Sequence, residues 1–176
     1  GAILLYIVIG SLLPVLGMRI ASYLTENKYI LMALGIFLAL EPSAILYSTT
    51  FYSETFFMLW LFASIWALFA YFSDRQLPYL ALSALLLGAA TLTRPTSEYL
   101  PLIILGVLAW EWRKNIFSRA FLTHAGVYAA VFLIMLAPWL HRNYAIFGVA
   151  DLSPQMGVNL HMTLLPTVYS IERGTT

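Results

Sequence analysis

The sequence predicts an all-α, polytopic transmembrane helix bundle, and three observations predict it. Hydrophobic residues make up 61% of the 176 positions, where a soluble domain has about 45–50%. Charge is scarce, with 9 Lys+Arg and 8 Asp+Glu. That is 10% of the chain, against about 25% for a soluble domain. The apolar residues also gather into six segments, several near the roughly 20 residues that a hydrocarbon core demands. A net charge of +1 neutralises too few phosphates for a nucleic-acid binder. The same composition excludes a disordered chain and disfavours a water-soluble enzyme. The absence of cysteine removes disulfides, thiolate metal sites and cysteine nucleophiles.

The segments run in order. The first is Ala2–Leu16, extending to about Leu24 past Arg19. The second, Tyr29–Leu46, is interrupted by Glu41-Pro42. The third, Thr55–Phe72, carries no charge. The fourth and fifth, Tyr79–Thr93 and Tyr99–Trp110, are short for full spans and read as half-spans or as helices extended through the turn between them. The sixth is Phe121–Leu140. Residues 1–147 are thus expected to form a helical membrane region, and 148–176 a folded outer loop. With Gly1 first, no basic leader and a polar end at Thr176, the chain reads as an internal piece of a longer protein. No signal peptide is expected.

Loop charge sets the expected orientation. Arg19, Lys28, Arg75, Arg113, Lys114 and Arg119 fall on one side, and Arg94, Arg142 and Arg173 on the other. The positive-inside rule makes the six-charge side cytoplasmic. Trp110 and Trp112 beside Arg113 fit an interfacial belt there. Gly88-Ala89-Ala90 suits close helix packing in lipid.

The outward loops carry the candidate chemistry. In the first, Pro42 is read as a helix breaker, followed by a polar Ser-Thr-Tyr run into Glu54. Ionisable residues at membrane depth are expensive and tend to be functional. Glu54 is a candidate metal ligand, base or sugar-hydroxyl acceptor. Its structural alternative is a carboxylate in a first helical turn behind an N-capping Ser53. Glu41 is either a buried acid or a mark of a helix end. In the second loop Arg94 offers a planar fork of donors suited to phosphate. Its alternatives are a snorkelling cation or a local pair with Glu98, with Thr96 or Ser97 capping the next helix. In the third loop Arg142 is a second outward cation, Trp139 an interface anchor and His141 a candidate proton carrier. The sequence has no Walker loop, dinucleotide fingerprint, HExxH or GxSxG. An outward cavity with Arg and Glu in a lipid-facing protein suits a substrate with a phosphate head and a long apolar tail.

At these loops the sequence resembles a known family. Pro42-Ser43-Ala44-Ile45-Leu46-Tyr47-Ser48 with Tyr52-Ser53-Glu54-Thr55 is similar to a block of the polyprenyl-phosphate-dependent glycosyltransferases of the GT-C fold. The nearest group is the bacterial relatives of the dolichyl-phosphate-mannose protein mannosyltransferases. Gly88–Thr96, closing in Leu-Thr-Arg-Pro, resembles a second block. Pro138-Trp139 with Arg142-Asn143-Tyr144 and Phe147-Gly148 resembles a third, and Gly157-Val158-Asn159-Leu160 a fourth. Each block is weak alone; their order and spacing are fairly specific.

The resemblance implies a multi-pass protein of the bacterial plasma membrane with an outward-facing site. The donor is a sugar on a polyprenyl phosphate, and the acceptor is a protein, lipid or glycan. Transfer proceeds with inversion, with an acid as base. In the family that acid lies in the first outer loop, and this chain is expected to lack that loop. Glu54 is then the second acidic position, the catalytic candidate here. Arg94, Arg142, Glu41, Tyr52, Asn143 and Asn159 are candidate contacts to phosphate or sugar. Glu41 departs from the family pattern, which has an apolar or small residue there. No cofactor is certain, and a divalent metal at Glu54 stays open. Two alternatives stand beside this reading: a transporter or flippase of lipid-linked sugars, and a non-catalytic membrane scaffold.

Overall fold

The computed structural model describes residues 2–49 and 52–153, and every regular element among them is helical. The elements are α1 (Ala2–Ala21), α2 (Lys28–Ala39), α3 (Pro42–Thr49), α4 (Glu54–Asp74), α5 (Leu77–Thr93), α6 (Leu100–Glu111) and α7 (Arg119–Phe147). A short 3-10 turn, Pro95–Ser97, stands between α5 and α6. The bundle class read from composition is therefore correct. Three helices, at Ile3–Ala21, Glu54–Asp74 and Arg119–Phe147, are long and apolar enough to cross a membrane. Shorter apolar helices accompany them, and many large apolar side chains of α1, α2 and α6 stand exposed, as lipid-facing surfaces require. This is a membrane protein.

The chain divides into two compact units, Gly1–Leu136 and Ala137–Thr176. Within the first, α4 and α5 form a tight antiparallel hairpin. Only Arg75 and Gln76 join them. Arg75 closes α4 in the left-handed region at φ 56°, its N–H donating to the Tyr71 carbonyl at 2.7 Å. That conformation costs a non-glycine residue about 1–2 kcal/mol. Inside the hairpin the buried Ser64 hydroxyl donates to the Ser83 carbonyl at 2.8 Å. Small buried residues (Ala67, Ala70, Ala84, Ala90) let the helices close on one another.

Helix α1 lies along α4 in the same direction. Tyr6 packs edge-on against Phe56, and Tyr23 stacks on Phe69 at the far end. Between these parallel helices the chain returns through α2 and α3, a single pass broken at Leu40-Glu41. Gly35 is buried where α2 meets α1, against the Met18 side chain. A Cβ on Gly35 would meet Met18 Sδ at 2.5 Å. The break lies beside the middle of α1, because Leu38, Ala39, Ala44 and Ile45 share a pocket with Ile7, Gly10, Ser11 and Pro14.

The stretch read from the sequence as an outward loop starts as a helix, Pro42–Thr49. Pro42 begins α3 rather than ending a helix, since its fixed φ and missing N–H suit a first helical position. In the second unit, Gly148 ends α7 at φ +72°, its N–H returning to the Tyr144 carbonyl at 2.9 Å.

Candidate functional site

Proline places Arg94. A residue before proline is driven out of the helical region, so α5 ends at Thr93 and Arg94 is extended at φ −145°, ψ 120°. Its backbone N–H still donates to the Ala90 carbonyl at 2.8 Å. The turn beyond is braced from inside: the fully buried Thr91 hydroxyl contacts the Ser97 hydroxyl at 2.9 Å and donates to the Leu87 carbonyl at 2.9 Å. Arg94 thus leaves a rigid helix end sideways, toward the first turn of α4.

There its guanidinium donates to Glu54 in an ion pair. The local pair with Glu98 that the spacing allowed is not the one formed; the partner is 40 residues away. Ser53 stands at the N-cap position of α4 but makes no side-chain cap, whereas Glu54 does lie in the first turn, where the helix dipole favours a carboxylate. Glu98 and Tyr99 follow the 3-10 turn, and neither Thr96 nor Ser97 caps α6.

Glu54 and Arg94 form one wall of a cavity of about 280 Å³. Leu13, Phe57 and Met58 supply apolar walls, and Tyr47 and Glu41 close it from the α3 side. Thr55 ties α4 to α3 by donating to the Tyr47 carbonyl at 2.7 Å. Glu41 sits at the break between α2 and α3. Its carboxylate accepts from the backbone N–H groups of Ser43 and Ala44. These are orphan donors of the α3 N-terminus, so Glu41 is a helix cap that also lines the cavity. Tyr52 is exposed and packs edge-on against Tyr47 with centroids 6.0 Å apart.

The structure therefore gathers Glu41, Glu54 and Arg94 at one cavity, with Tyr52 near its Tyr47 wall. Arg142 and Asn143 lie in the second unit. The Arg142 guanidinium rests over the Trp139 ring at 5.0 Å and donates to the Asn143 side-chain oxygen at 3.1 Å. Asn143 is buried and donates to the Asp151 carbonyl at 2.6 Å, while the Trp139 indole donates to the Leu152 carbonyl at 3.1 Å. These contacts fold residues 148–153 onto the end of α7. Asn159 lies outside the described residues, as does His161. Tyr47 and Thr91 sit inside resemblance blocks with no role read from the sequence, and Ser97, offered there as a cap, instead meets Thr91; only the fold shows what they brace. Among the described residues no group of three or more His, Asp or Glu is placed to hold a metal ion. Among the described residues, Glu54 and Glu41 are the carboxylates that line this cavity.

A helical bundle with lipid-facing apolar helices and a charged pair beside an apolar cavity defines an integral membrane protein. The family model described as dolichyl-phosphate-mannose-protein mannosyltransferase matches residues 1–141. The chain belongs to that family, and so to the membrane glycosyltransferases of the GT-C type. No curated protein and no solved structure matches it.

Proposed function

We propose that this chain is part of an enzyme that moves a sugar from a polyprenyl-phosphate donor to an acceptor at the outer face of the membrane. The observation that carries this reading is the Arg94–Glu54 pair at the apolar cavity. Arg94 has five N–H donors and spends one on Glu54 Oε1. The others suit the oxygens of a lipid phosphate whose isoprenoid tail follows the apolar walls. In the reaction, an acceptor oxygen bonds to the anomeric carbon as the bond from that carbon to the phosphate oxygen breaks. The acceptor proton passes to a base, and Arg94 balances the charge growing on the departing phosphate. Glu54, already engaged by Arg94, positions the guanidinium rather than abstracting a proton.

The outward orientation is supported by basic residues concentrated away from this cavity. Arg75, Arg113 and Lys114 cluster at the other end of α4, and Arg19 lines a pocket with Tyr23 and Trp66. In this reading residues 1–147 are the membrane region and 148–176 follow it outside. The test is transfer by the full-length protein from a polyprenyl-phosphate sugar. Arg94→Ala and Glu54→Ala should each lose most activity, and undiminished transfer in both would refute the assignment.

One observation favours a second reading, a flippase of the same lipid. The α2–α3 pass is broken beside the middle of α1, with a carboxylate at the break, a device of transporters. Donor consumption separates the two, because a flippase leaves the sugar–phosphate bond intact.

A further inference from the structure

The end of α4 away from Glu54 carries a second charged constellation. An α-helix of 21 residues spans roughly 30 Å, so the two are distinct in space. This second place is an open bowl of about 640 Å³, lined by Arg75, Glu111, Trp112, Arg113, Lys114, Asn115 and His124.

Three cations here face one carboxylate. Glu111 is taken up by Arg75 in an ion pair, while Arg113 and Lys114 have no carboxylate partner among the described residues. Arg75 occupies a left-handed backbone position that glycine would take more cheaply. Its guanidinium reaches both Glu111 and the Phe72 ring, 5.6 Å from the centroid. The bowl is built as well as charged. His124 Nδ1 is 2.7 Å from the Ala120 carbonyl, which makes it the protonated nitrogen, and the His124 ring packs between Trp112 at 5.6 Å and Tyr71 at 5.7 Å.

The surroundings decide what kind of anion fits. Trp110 is 70% exposed and Phe117 90% exposed, on either side of the Arg113-Lys114 pair. Arg113 lies over the Trp110 ring at 5.0 Å. Bare aromatic side chains interleaved with cations, at the end of an apolar helix, belong at the depth where acyl chains meet headgroups. A soluble anion has no use for that apolar rim. A membrane phospholipid uses both parts, its phosphate in the bowl and its chains along Trp110 and Phe117.

We infer that the bowl formed by Arg75, Arg113, Lys114 and His124 is a binding site for the phosphodiester headgroup of an anionic membrane phospholipid. The site is separate from the Glu54–Arg94 cavity and does not depend on the function proposed for it. Arg113 and Lys114 supply the charge for the phosphate, and Arg75 is held by Glu111 as the inner wall. Basic pockets between helices at the membrane surface bind such headgroups by this combination of charge and shape.

The test uses the full-length protein in nanodiscs of phosphatidylcholine with graded phosphatidylglycerol, counting retained phosphatidylglycerol by native mass spectrometry. The double substitution Arg113→Gln/Lys114→Gln should weaken retention by roughly tenfold or more. Arg19→Gln/Lys28→Gln removes two exposed basic residues from elsewhere and should change it far less. Inorganic phosphate and glycerol 3-phosphate, added to nanodiscs of phosphatidylcholine alone, should not protect the protein against heat as phosphatidylglycerol does. A photoactivatable phosphatidylglycerol on the unsubstituted protein should cross-link within residues 110–117, which keeps the test independent of how the variants fold. Equal losses from both double substitutions, equal protection by soluble phosphate, or cross-links confined to other loops would each overturn the proposal.

Discussion

Both ends of α4 hold an arginine–glutamate pair, and the two pairs sit in different surroundings. Arg94–Glu54 is walled in, with side chains 38% and 24% exposed against an apolar cavity. Arg75–Glu111 is open, at 44% and 45%, beside two further cations. Charge pairs gain strength as water is excluded and lose it to screening when exposed. The lesson is that ion-pair chemistry alone does not mark a site; the medium around it does.

Substitutions at the two ends of α4 tell the pairs apart. The largest expected effect is on transfer. Arg94→Ala should lower it by about 10²-fold or more, as expected when a donor to developing charge is removed. Arg75→Ala should leave it within about threefold, since exposed pairs contribute little. A turnover assay checks both, and equal losses would dissolve the distinction between the ends. Next comes Arg94→Lys, which keeps the charge but not the planar fork. It should recover only part of the activity, and full recovery would show that a point charge suffices. Smaller still is Thr91→Val, which leaves the buried Ser97 hydroxyl only its longer bond to the Arg94 carbonyl (3.4 Å) and should cost about 1 kcal/mol of stability. A lowered thermal midpoint in the same nanodisc would register it. The smallest effect belongs to Arg75→Gly. Relief of the left-handed backbone offsets loss of an exposed ion pair, so stability should stay within about 1 kcal/mol.

Much of the bundle was legible because lipid imposes a strict length and composition on each segment. All six apolar segments correspond to helices, the second being split where Glu41-Pro42 interrupts it. The split has a different cause from the one the sequence suggests. A proline after an acid looks like an ending, but the same pair opens α3, with Glu41 capping it. The residue types at the candidate site were legible too, and Leu-Thr-Arg-Pro already forces Arg94 out of its helix. Its partner was not, because local spacing offers Glu98, whereas Glu54 arrives only through the α4–α5 hairpin. Arg75 and Glu111 are likewise 36 residues apart. For Arg142 and Asn143, sequence offered ligand contacts; the fold adds that Asn143 holds the Asp151 carbonyl and that Arg142 rests on Trp139 and Asn143.

The Ser64–Ser83 contact carries a consequence for how the Arg94–Glu54 pair is kept. Two apolar helices in lipid slide past one another with little resistance, since one oily surface resembles the next. A single polar peg in that seam acts as a detent, fixing how far α5 has travelled along α4. One residue of slip is about 1.5 Å of travel and about 100° of rotation, enough to swing Arg94 off Glu54. The hydroxyl of Ser64, ten residues from Glu54, thus works as the zero mark of a ruler whose far end is Arg94.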